Sequence, residues 1–371
     1  MMMPKLESIL TERLLVPIRK EWMITGGAGT HDRSPFLLIR LRAEGLEGLG
    51  EVSGTYGWSG EGFETAEAAV RNVLAPVLTG NAVSPNQVRA LMDRTLAGFP
   101  FTKAGIEMAC WDLLGKACGT SIGQLLGGST RGSIVSKFSV SGGAPEISAS
   151  IARQAWDAGF RKFKVKVGTG LERDLKRVAA VREALGADVS LGVDANGGWS
   201  LSEARRALPQ LEAYRIAAVE QPIRPGNAHE MARLRAHSRI PVLLDESIWT
   251  ARDVATIAQA GAADAINVYV GKAGGIAPAL EAIQVAHACG LGATLGSNLE
   301  LGIAHAAMLH VLSISSAVDL DMFPPDVAAP MYYVADLVEP VFQIQDGAVA
   351  VPQGPGLGVT LKEDVVRKYR A

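Results

Sequence analysis

Short apolar runs alternate with longer amphipathic stretches from about residue 135 onwards. The amphipathic stretches repeat apolar residues at three- and four-residue spacing, which is typical of helices, and the short runs between them are typical of buried strands. Eight strands are predicted: IVSKFSVSG, KFKVKVG, VSLGVDA, AAVEQP, PVLLDES, AINVYVG, GATLGS and AVDLD. Eight strand–helix repeats predict an α/β fold in which a parallel sheet closes into a (β/α) barrel.

The first part of the chain has a different pattern and predicts an α+β domain. Residues 5–52 read as strands with turns between them. Residues 62–127 repeat apolar positions as helices do, and Gly119 is the expected C-cap of the last helix. We therefore predict an α+β domain at 1–130, a barrel domain at 131–325 and a closing segment at 326–371.

Three of the predicted barrel strands end in a carboxylate. Asp194, Glu220 and Asp245 follow apolar runs and lie 26 and 25 residues apart, about the length of one strand–helix–strand crossover. The equal gaps predict that the three acids lie at one level of successive parallel strands, where their charges repel strongly. A divalent cation resolves that repulsion, and an all-oxygen ligand set favours Mg²⁺, with Mn²⁺ as the alternative.

The strand before Asp194 carries two lysines. Because side chains alternate along a strand, Lys164 and Lys166 share one face. Each ammonium raises the cost of charging the other, so we expect the pKa of at least one lysine to fall. A lysine of lowered pKa is a usable base near neutral pH, and Lys166 is the leading candidate.

Other strand ends supply further candidates. Lys272 follows the predicted sixth strand and is expected to approach from the far side of the barrel. Glu246 competes with its neighbour Asp245 as a ligand, although alternation places it on the other face. Asn196 is expected to support the ligands from behind.

Composition excludes several other classes of protein. The chain has 371 residues, 48% hydrophobic and 20% charged, as in an ordinary globular protein. A net charge of −2 gives no basis for binding nucleic acid or an anionic membrane. Three cysteines make no disulfide framework and the N-terminal region has no long apolar segment, so the predicted location is the cytoplasm. A non-catalytic barrel is disfavoured, because buried unpaired charge is destabilising.

Taken together, these residues resemble the enolase superfamily, in particular the muconate cycloisomerase-like subgroup of the mandelate racemase/muconate lactonizing enzyme family. The ordered set that carries the resemblance is Lys164-Val165-Lys166, Asp194 with Asn196, Glu220 within EQP, Asp245 within DES, Lys272 within KAGG, and GSNLE. The resemblance runs the whole length of the chain. It implies a modified TIM barrel, a capping domain completed by residues 326–371, bound Mg²⁺ and a homo-oligomer.

The resemblance also implies lid loops and substrate contacts. Residues 24–33 and 53–62 are glycine-rich, and such loops close over the barrel mouth in this family. Tyr56 in the second loop, and Asn298 and Glu300 after the seventh strand, are expected substrate contacts. Asp319 and Asp321 form an Asp-x-Asp pair at the predicted eighth strand, which binds a substrate ammonium in related dipeptide epimerases.

The implied chemistry is proton transfer at the carbon beside the carboxylate of a small substrate. A metal holds that carboxylate where negative charge develops, and a lysine moves the proton. Two isomerase reactions fit equally: cycloisomerisation of a muconate-type diacid, and racemisation or epimerisation of an amino-acid derivative with Lys166 and Lys272 on opposite faces. A lyase that removes water from a β-hydroxy acid is the alternative.

Overall fold

The computed structural model describes residues 3–22, 24–26 and 29–371. The strands of the first part are β1 (Ser8–Pro17), β2 (Ile24–Gly26), β3 (Gly29–His31), β4 (Arg33–Ala43) and β5 (Leu46–Val52). An antiparallel sheet has the order β1-β4-β5, and β2 pairs with β3 as a hairpin. This hairpin occupies the first predicted lid loop, of which positions 27 and 28 lie outside the described residues.

Helices follow the antiparallel sheet. They are α1 (Tyr56–Ser59), α2 (Phe63–Ala69), α3 (Ala75–Leu78), α4 (Pro85–Thr95), α5 (Pro100–Cys118) and α6 (Ile122–Leu125), with a π-helical turn at Val70–Leu74. A 3-10 turn at Lys20–Trp22 lies earlier, between β1 and β2. Alternation along β4 sends Leu37 and Ile39 into the core with these helices, and Phe36 and Leu38 into the core shared with the barrel. Helix α5 ends at Gly119, whose φ of +65° makes it the predicted C-cap.

A parallel sheet of seven strands forms the second part of the molecule. The strands from residue 133 are β6 (Ser133–Val135), β7 (Lys137–Val140), β8 (Lys162–Lys166), β9 (Ser190–Asp194), β10 (Val219–Glu220), β11 (Val242–Leu244), β12 (Ala265–Val268) and β13 (Gly292–Leu295). Strands β7 to β13 lie side by side in chain order. The accompanying helices are α7 (Pro145–Asp157), α8 (Leu171–Leu185), α9 (Leu201–Leu211), α10 (Ala228–Arg235), α11 (Ala251–Ala260), α12 (Val270–Ala273), α13 (Ile276–Ala288) and α14 (Gly302–Ile314). The predicted fold class is confirmed.

The predicted eighth strand is wrong, because AVDLD forms a bridge and a turn instead. Val318 makes one isolated parallel bridge to β13. Immediately afterwards the Asp319 carboxylate accepts hydrogen bonds from the backbone N–H groups of Asp321 and Met322, at 3.0 and 2.9 Å. An aspartate that binds the backbone two and three residues ahead stabilises a turn. The chain therefore leaves the sheet after a single residue.

The segment after this turn closes the barrel by lying between the two edge strands of the sheet, β13 and β7. The backbone N–H of Asp326 donates to the Leu295 carbonyl on β13, and the Lys137 N–H on β7 donates to the Pro325 carbonyl, both at 2.9 Å. One segment thus bridges the two edge strands of the sheet. The eighth position of the barrel is therefore filled by residues 318–326 without a regular strand.

The remaining elements are β14 (Val338–Glu339), β15 (Ala348–Ala350), β16 (Thr360–Leu361) and α15 (Glu363–Tyr369), after a 3-10 turn at Ala329–Tyr332. They contact the first part of the molecule: the Arg40 guanidinium lies 2.7 Å from the Glu363 carboxylate, and Arg370 bridges to Leu14 on β1. The boundaries at 130 and 325 stay predictions. Within the described ranges, no helix is long and apolar enough to cross a membrane.

Candidate active site

The acids that end β9, β10 and β11 point into the barrel. Glu220 pairs with Asp194 in the register of β9 and β10, so these two acids lie at one level. Glu220 pairs with Leu243 on its other side, which places Asp245 two residues further toward the carboxyl ends of the strands. All three are buried, with no more than 2% of their surface exposed. The structure therefore brings the predicted acids together, with Asp245 slightly nearer the mouth.

The predicted lysine pair faces these acids. The Lys166 ammonium lies 2.7 Å from Asp194 Oδ2 and 2.9 Å from Asn196 Oδ1. The Lys164 ammonium lies 3.1 Å from the carboxylates of both Asp194 and Glu220. The Lys166 side chain is 20% exposed and that of Lys164 is 7% exposed. Lys166 is therefore the lysine of the pair that a molecule in the mouth can reach.

Charge coupling within this cluster changes the pKa values. Burial opposes the charge on Lys164, but Glu220 and Asp194 outweigh it and hold the Lys164 pKa well above its usual range. Burial also opposes the charge on Asp194, but Lys166 and Lys164 lower the pKa of that carboxyl. Burial, and then the charge of Asp194, raise the pKa of Glu220 to about 7. Lys164 is therefore not the lysine of lowered pKa that the pair predicts, because the carboxylates around it outweigh the effect of burial.

Lys272 lies just after β12 and is buried among protein acceptors. It lies in the short helix α12, is 1% exposed, and donates to the backbone carbonyls of Asp245 and Asn267 at 2.7 and 3.1 Å. It also donates to the Asp245 carboxylate. All three ammonium hydrogens thus have protein acceptors. Two of these acceptors belong to Asp245, a candidate metal ligand, and the catalytic role of Lys272 stays a prediction.

Two inward residues of β12 and its continuation were missed by sequence reasoning. Asn267 Nδ2 donates to Glu220 Oε1 at 2.8 Å, and the Tyr269 hydroxyl donates to Asp245 Oδ2 at 2.6 Å. Burial, with the charge of Asp245, raises the Tyr269 pKa well above its usual range. The two positions are two residues apart, so alternation along the strand could have identified them. They belong to the site as direct partners of the candidate ligands.

The predicted Asp-x-Asp contact lies at the wrong end of the barrel. The Asp321 carboxylate is 99% exposed and lies 3.1 Å from the ammonium of Lys162, at the amino end of β8, while Asp319 caps the adjoining turn. Asp326 is the acid of this segment that lies inside the barrel. Its Oδ2 accepts a hydrogen bond from Ser139 Oγ at 2.7 Å, and its buried Oδ1 has no partner among the described residues.

The second lid loop contacts the site through Trp58. Tyr56 is 54% exposed and its hydroxyl donates to Glu64 at 2.9 Å, and its contact with substrate stays a prediction. Trp58 instead stacks on Tyr269, with ring centroids 5.4 Å apart and an interplanar angle of 15°. Trp58 Nε1 also lies 3.5 Å from Glu246 Oε1.

The remaining predicted residues have protein partners. Asn196 Nδ2 donates to Glu246 Oε1 at 2.9 Å, which joins the loops after β9 and β11. Asn298 Nδ2 donates to the Ser53 carbonyl in the lid loop. Glu300 is buried and accepts from the Asn298 backbone N–H at 2.9 Å. Substrate contact by Asn298 and Glu300 stays a prediction.

The donor set at the mouth fits a hard divalent cation by its chemistry. Three buried carboxylates supply oxygen ligands of the kind that Mg²⁺ prefers. Across the described part of the chain, no three acidic, histidine or cysteine side chains have ligand spacing as they stand. In this arrangement each of the three carboxylates contacts a lysine ammonium. The candidate ligands are therefore Asp194, Glu220 and Asp245, and their lysine contacts are alternatives to a cation.

A (β/α) barrel with acids and lysines at its strand ends, closed by an α+β domain, defines a class of enzymes that act on small molecules at the barrel mouth. The family model described as "Enolase C-terminal domain-like" matches residues 148–365. The model described as "Mandelate racemase / muconate lactonizing enzyme, N-terminal domain" matches residues 14–127. The chain belongs to the mandelate racemase/muconate lactonizing enzyme family of the enolase superfamily, which confirms the predicted resemblance.

Relatives and solved structures of this family match over nearly the whole chain. An N-succinyl-L-Arg/Lys racemase of Bacillus cereus is 30% identical over 98% of this chain and 97% of its own length. A chloromuconate cycloisomerase of Cupriavidus pinatubonensis is 31% identical over 95% of each chain. The crystal structure of a dipeptide epimerase from Cytophaga hutchinsonii, complexed with Mg and the dipeptide D-Ala-L-Val, has a TM-score of 0.93 and 28% identity over 98% of each chain. All three names are those of isomerases.

Proposed function

We propose that this protein is a Mg²⁺-dependent isomerase that moves a proton at the carbon beside the carboxylate of a small substrate. The observation that carries the proposal is the placement of Lys166. Its ammonium is accessible from the mouth and lies 2.7 Å from Asp194, the first of three buried acids at the carboxyl ends of adjacent strands. The neutral amine form of this lysine is a proton acceptor, and a proton acceptor next to an oxygen-rich cation site is what enolate formation requires.

Each residue has a separate role in this proposal. Asp194, Glu220 and Asp245 hold the ion, which supplies positive charge where the substrate carboxylate becomes more negative. Lys166 takes the α-proton and returns it. Lys164, buried between two of the acids, adds fixed positive charge close to the same oxygens.

The relatives support the isomerase class and the metal. The racemase, the cycloisomerase and the epimerase all carry isomerase names, and the epimerase structure contains Mg. Family membership is also the support for a homo-oligomer and for a cytoplasmic location. We give the cycloisomerase reaction on a muconate-type diacid and the racemase or epimerase reaction on an amino-acid derivative as the two candidate reactions.

Proton NMR in deuterated buffer with Mg²⁺ tests the proposal. Muconates, muconolactone, N-succinyl amino acids and dipeptides are incubated separately with the protein, and the α-proton signal is followed. We expect one class to lose its α-proton signal or to convert to a lactone, and we expect EDTA to stop the change. Turnover that EDTA leaves unchanged would contradict the metal dependence, and chemistry at another carbon would contradict the proton transfer.

A further inference from the structure

We propose that a pocket entering the barrel from its amino end holds bound water, and that this water joins Lys137 on β7 to the candidate ligand Glu220. Lys137 is then a positioning residue, which holds the Glu220 carboxylate from the side away from the mouth. The inference rests on the proposed function for the role of Glu220. It adds a residue and a water site that lie outside the mouth.

The pocket lies inside the barrel, below the candidate site, and has a volume of about 30 Å³. Met322 on the closing segment lines it and is 51% exposed, next to the Lys162–Asp321 ion pair at the amino end of the barrel. Lys164 and Glu220 also line the pocket and are buried. The pocket therefore extends from the surface at the amino end to a candidate metal ligand.

Small inward residues create this space, whereas the interior of a (β/α) barrel is normally filled by layers of branched side chains. Gly192 and Ala218 line the pocket, each two residues before the acid that ends its strand. Alternation therefore directs both positions into the barrel. A Cβ at Gly192 would lie 3.4 Å from the Ala218 carbonyl oxygen, which is an ordinary contact. The backbone thus accepts alanine at position 192, and the glycine leaves the space open.

Lys137 brings an ammonium with unused hydrogens to this pocket. The residue is 4% exposed, and its ammonium donates to the Pro324 carbonyl at 2.7 Å. That carbonyl is its one hydrogen-bond acceptor among the described residues, whereas an ammonium has three hydrogens to donate. Burying a charge is costly unless the charge is hydrogen-bonded. The other hydrogens of Lys137 therefore need acceptors within the pocket.

Glu220 offers an acceptor in the same pocket. Asn267 and Lys164 donate to Glu220 Oε1 at 2.8 and 3.2 Å, and Lys164 donates to Oε2 at 3.1 Å. A carboxylate has about four acceptor positions, so one remains beyond these three bonds. Within the described part of the chain, Lys137 bonds to the closing segment and not to a candidate ligand. Its position therefore does not depend on whether lysines or a cation neutralise the acids.

Water fits this pocket better than an ion does. A volume of about 30 Å³ holds one or two water molecules. The Glu220 carboxylate repels an anion, and the ammonium groups of Lys137 and Lys164 repel a cation. Apolar cavities stay dry, whereas cavities with several polar partners hold water. We therefore expect one water, or two in contact with each other, between the Lys137 ammonium and the Glu220 carboxylate.

A high-resolution crystal structure of the protein crystallised with Mg²⁺ tests the water directly. We expect ordered density in the pocket, within about 3.2 Å of Lys137 Nζ and of a Glu220 carboxylate oxygen, as one water or as two in hydrogen-bond contact. A dry pocket, or water that does not connect the two groups, would overturn the inference.

Gly192→Ala tests the role of the water without changing a charge. The added methyl group displaces the water, so the Glu220 carboxylate loses its support from below. We expect calorimetry to show Mg²⁺ binding at least about tenfold weaker, as for loss of an outer partner of a ligand. Gly132→Ala is the matched control, because a Cβ there would lie in open space, and it should bind Mg²⁺ as the wild type does. Unchanged affinity in Gly192→Ala would contradict the bridge.

A double-mutant cycle tests whether Lys137 is the residue at the other end of the water. Lys137→Met removes the ammonium and keeps a long side chain. In that background Gly192→Ala has no bridge left to disrupt, so we expect its effect on Mg²⁺ affinity to fall to less than about twofold. An effect of the same size in both backgrounds would show that the water does not act through Lys137.

The outcomes separate this inference from the proposed function. A wild-type protein that binds no Mg²⁺ would reject the proposed function, and the crystal structure would still decide whether the water joins Lys137 to Glu220. Normal Mg²⁺ binding together with a dry pocket would leave the proposed function intact and reject this inference alone.

Discussion

The two ends of the barrel contain the same kinds of side chain in different surroundings. Strand β8 carries Lys162, Lys164 and Lys166 on one face. At the base, Lys162 pairs with Asp321, whose carboxylate is 99% exposed. At the mouth, Lys166 pairs with Asp194, whose carboxylate is 1% exposed. The N···O distances, 3.1 and 2.7 Å, are similar, so contact geometry alone does not distinguish a surface ion pair from a candidate site.

Burial is what separates the two ends. An exposed ion pair gains little, because water screens it and its side chains lose entropy. A buried cluster costs desolvation free energy, and clusters of this kind with shifted pKa values concentrate at functional sites. The mouth has such a cluster, with the pKa of Glu220 raised to about 7 by burial and by Asp194. The comparison therefore assigns the chemistry to the mouth of the barrel, and an ordinary surface role to the ion pair of Lys162 at the opposite end.

The largest expected difference between the two ends is in turnover. Lys166→Ala should lower kcat by about 10²- to 10⁴-fold, the usual contribution of a positioned acid or base. The matched control is Lys162→Ala, which removes a lysine from the same face of the same strand at the other end. Steady-state kinetics on the substrate found by NMR check both variants. Comparable losses in the two variants would remove the distinction between mouth and base.

A smaller effect, on the unfolding free energy, is expected from Glu51, where the capping domain contacts the barrel near the mouth. Glu51 on β5 accepts the backbone N–H groups of Leu301 and Ala304, at 2.7 and 3.2 Å, at the start of α14. Burial raises its pKa from 4.5 to about 8. Since the carboxyl holds its proton more tightly in the folded state, its contribution to the unfolding free energy falls as the pH rises from 4.5 to about 8.

Glu51→Gln tests this contribution, because glutamine does not titrate. Urea unfolding of both proteins between pH 4 and pH 9 gives the difference in unfolding free energy, wild type minus variant. We expect that difference to decrease steadily across the window set by the two pKa values. A constant difference over the whole range would show that Glu51 does not carry the proton that its burial implies.

The smallest effect is expected at the base. Asp321→Ala removes an exposed partner of Lys162, whose ammonium keeps the backbone carbonyls of Leu320 and Asp321 as acceptors at 3.0 and 2.9 Å. We expect the unfolding free energy to change by no more than about 0.5 kcal/mol, as for most surface substitutions. Urea midpoints of the two proteins measure it. A loss of unfolding free energy above about 1 kcal/mol would mean that the Lys162–Asp321 ion pair stabilises the fold.

Much of the mouth could be predicted because it follows from periodicity. Spacing between strand ends placed Asp194 and Glu220 at one level, and alternation placed Lys164 and Lys166 on one face. Both properties depend on backbone geometry, which the sequence pattern reports directly. Asp245 lies two residues beyond the level of Glu220, because equal gaps between strand ends do not fix the register of a strand to the residue.

Other parts could not be predicted because periodicity gives a face and not a level. The Asp319-x-Asp321 pattern reads equally well as a strand and as a turn, and the turn at the base formed. The sequence pattern predicts Lys272 at the end of a strand, whereas the strand ends at Val268 and a short helix carries Lys272, with its ammonium 4.4 Å from the centroid of the Tyr269 ring. Which of two loop aromatics, Tyr56 or Trp58, turns inward depends on tertiary packing.

Calorimetric titration with Mg²⁺ tests the central claim, that the buried acids at the mouth form the metal site of an enolate-forming enzyme. Wild type, Asp194→Asn and Asp321→Asn are compared, so that one acid from each end of the barrel is neutralised. We predict one site in the wild type, binding at least about tenfold weaker in Asp194→Asn, and no change in Asp321→Asn. The same affinity in all three proteins would contradict the account.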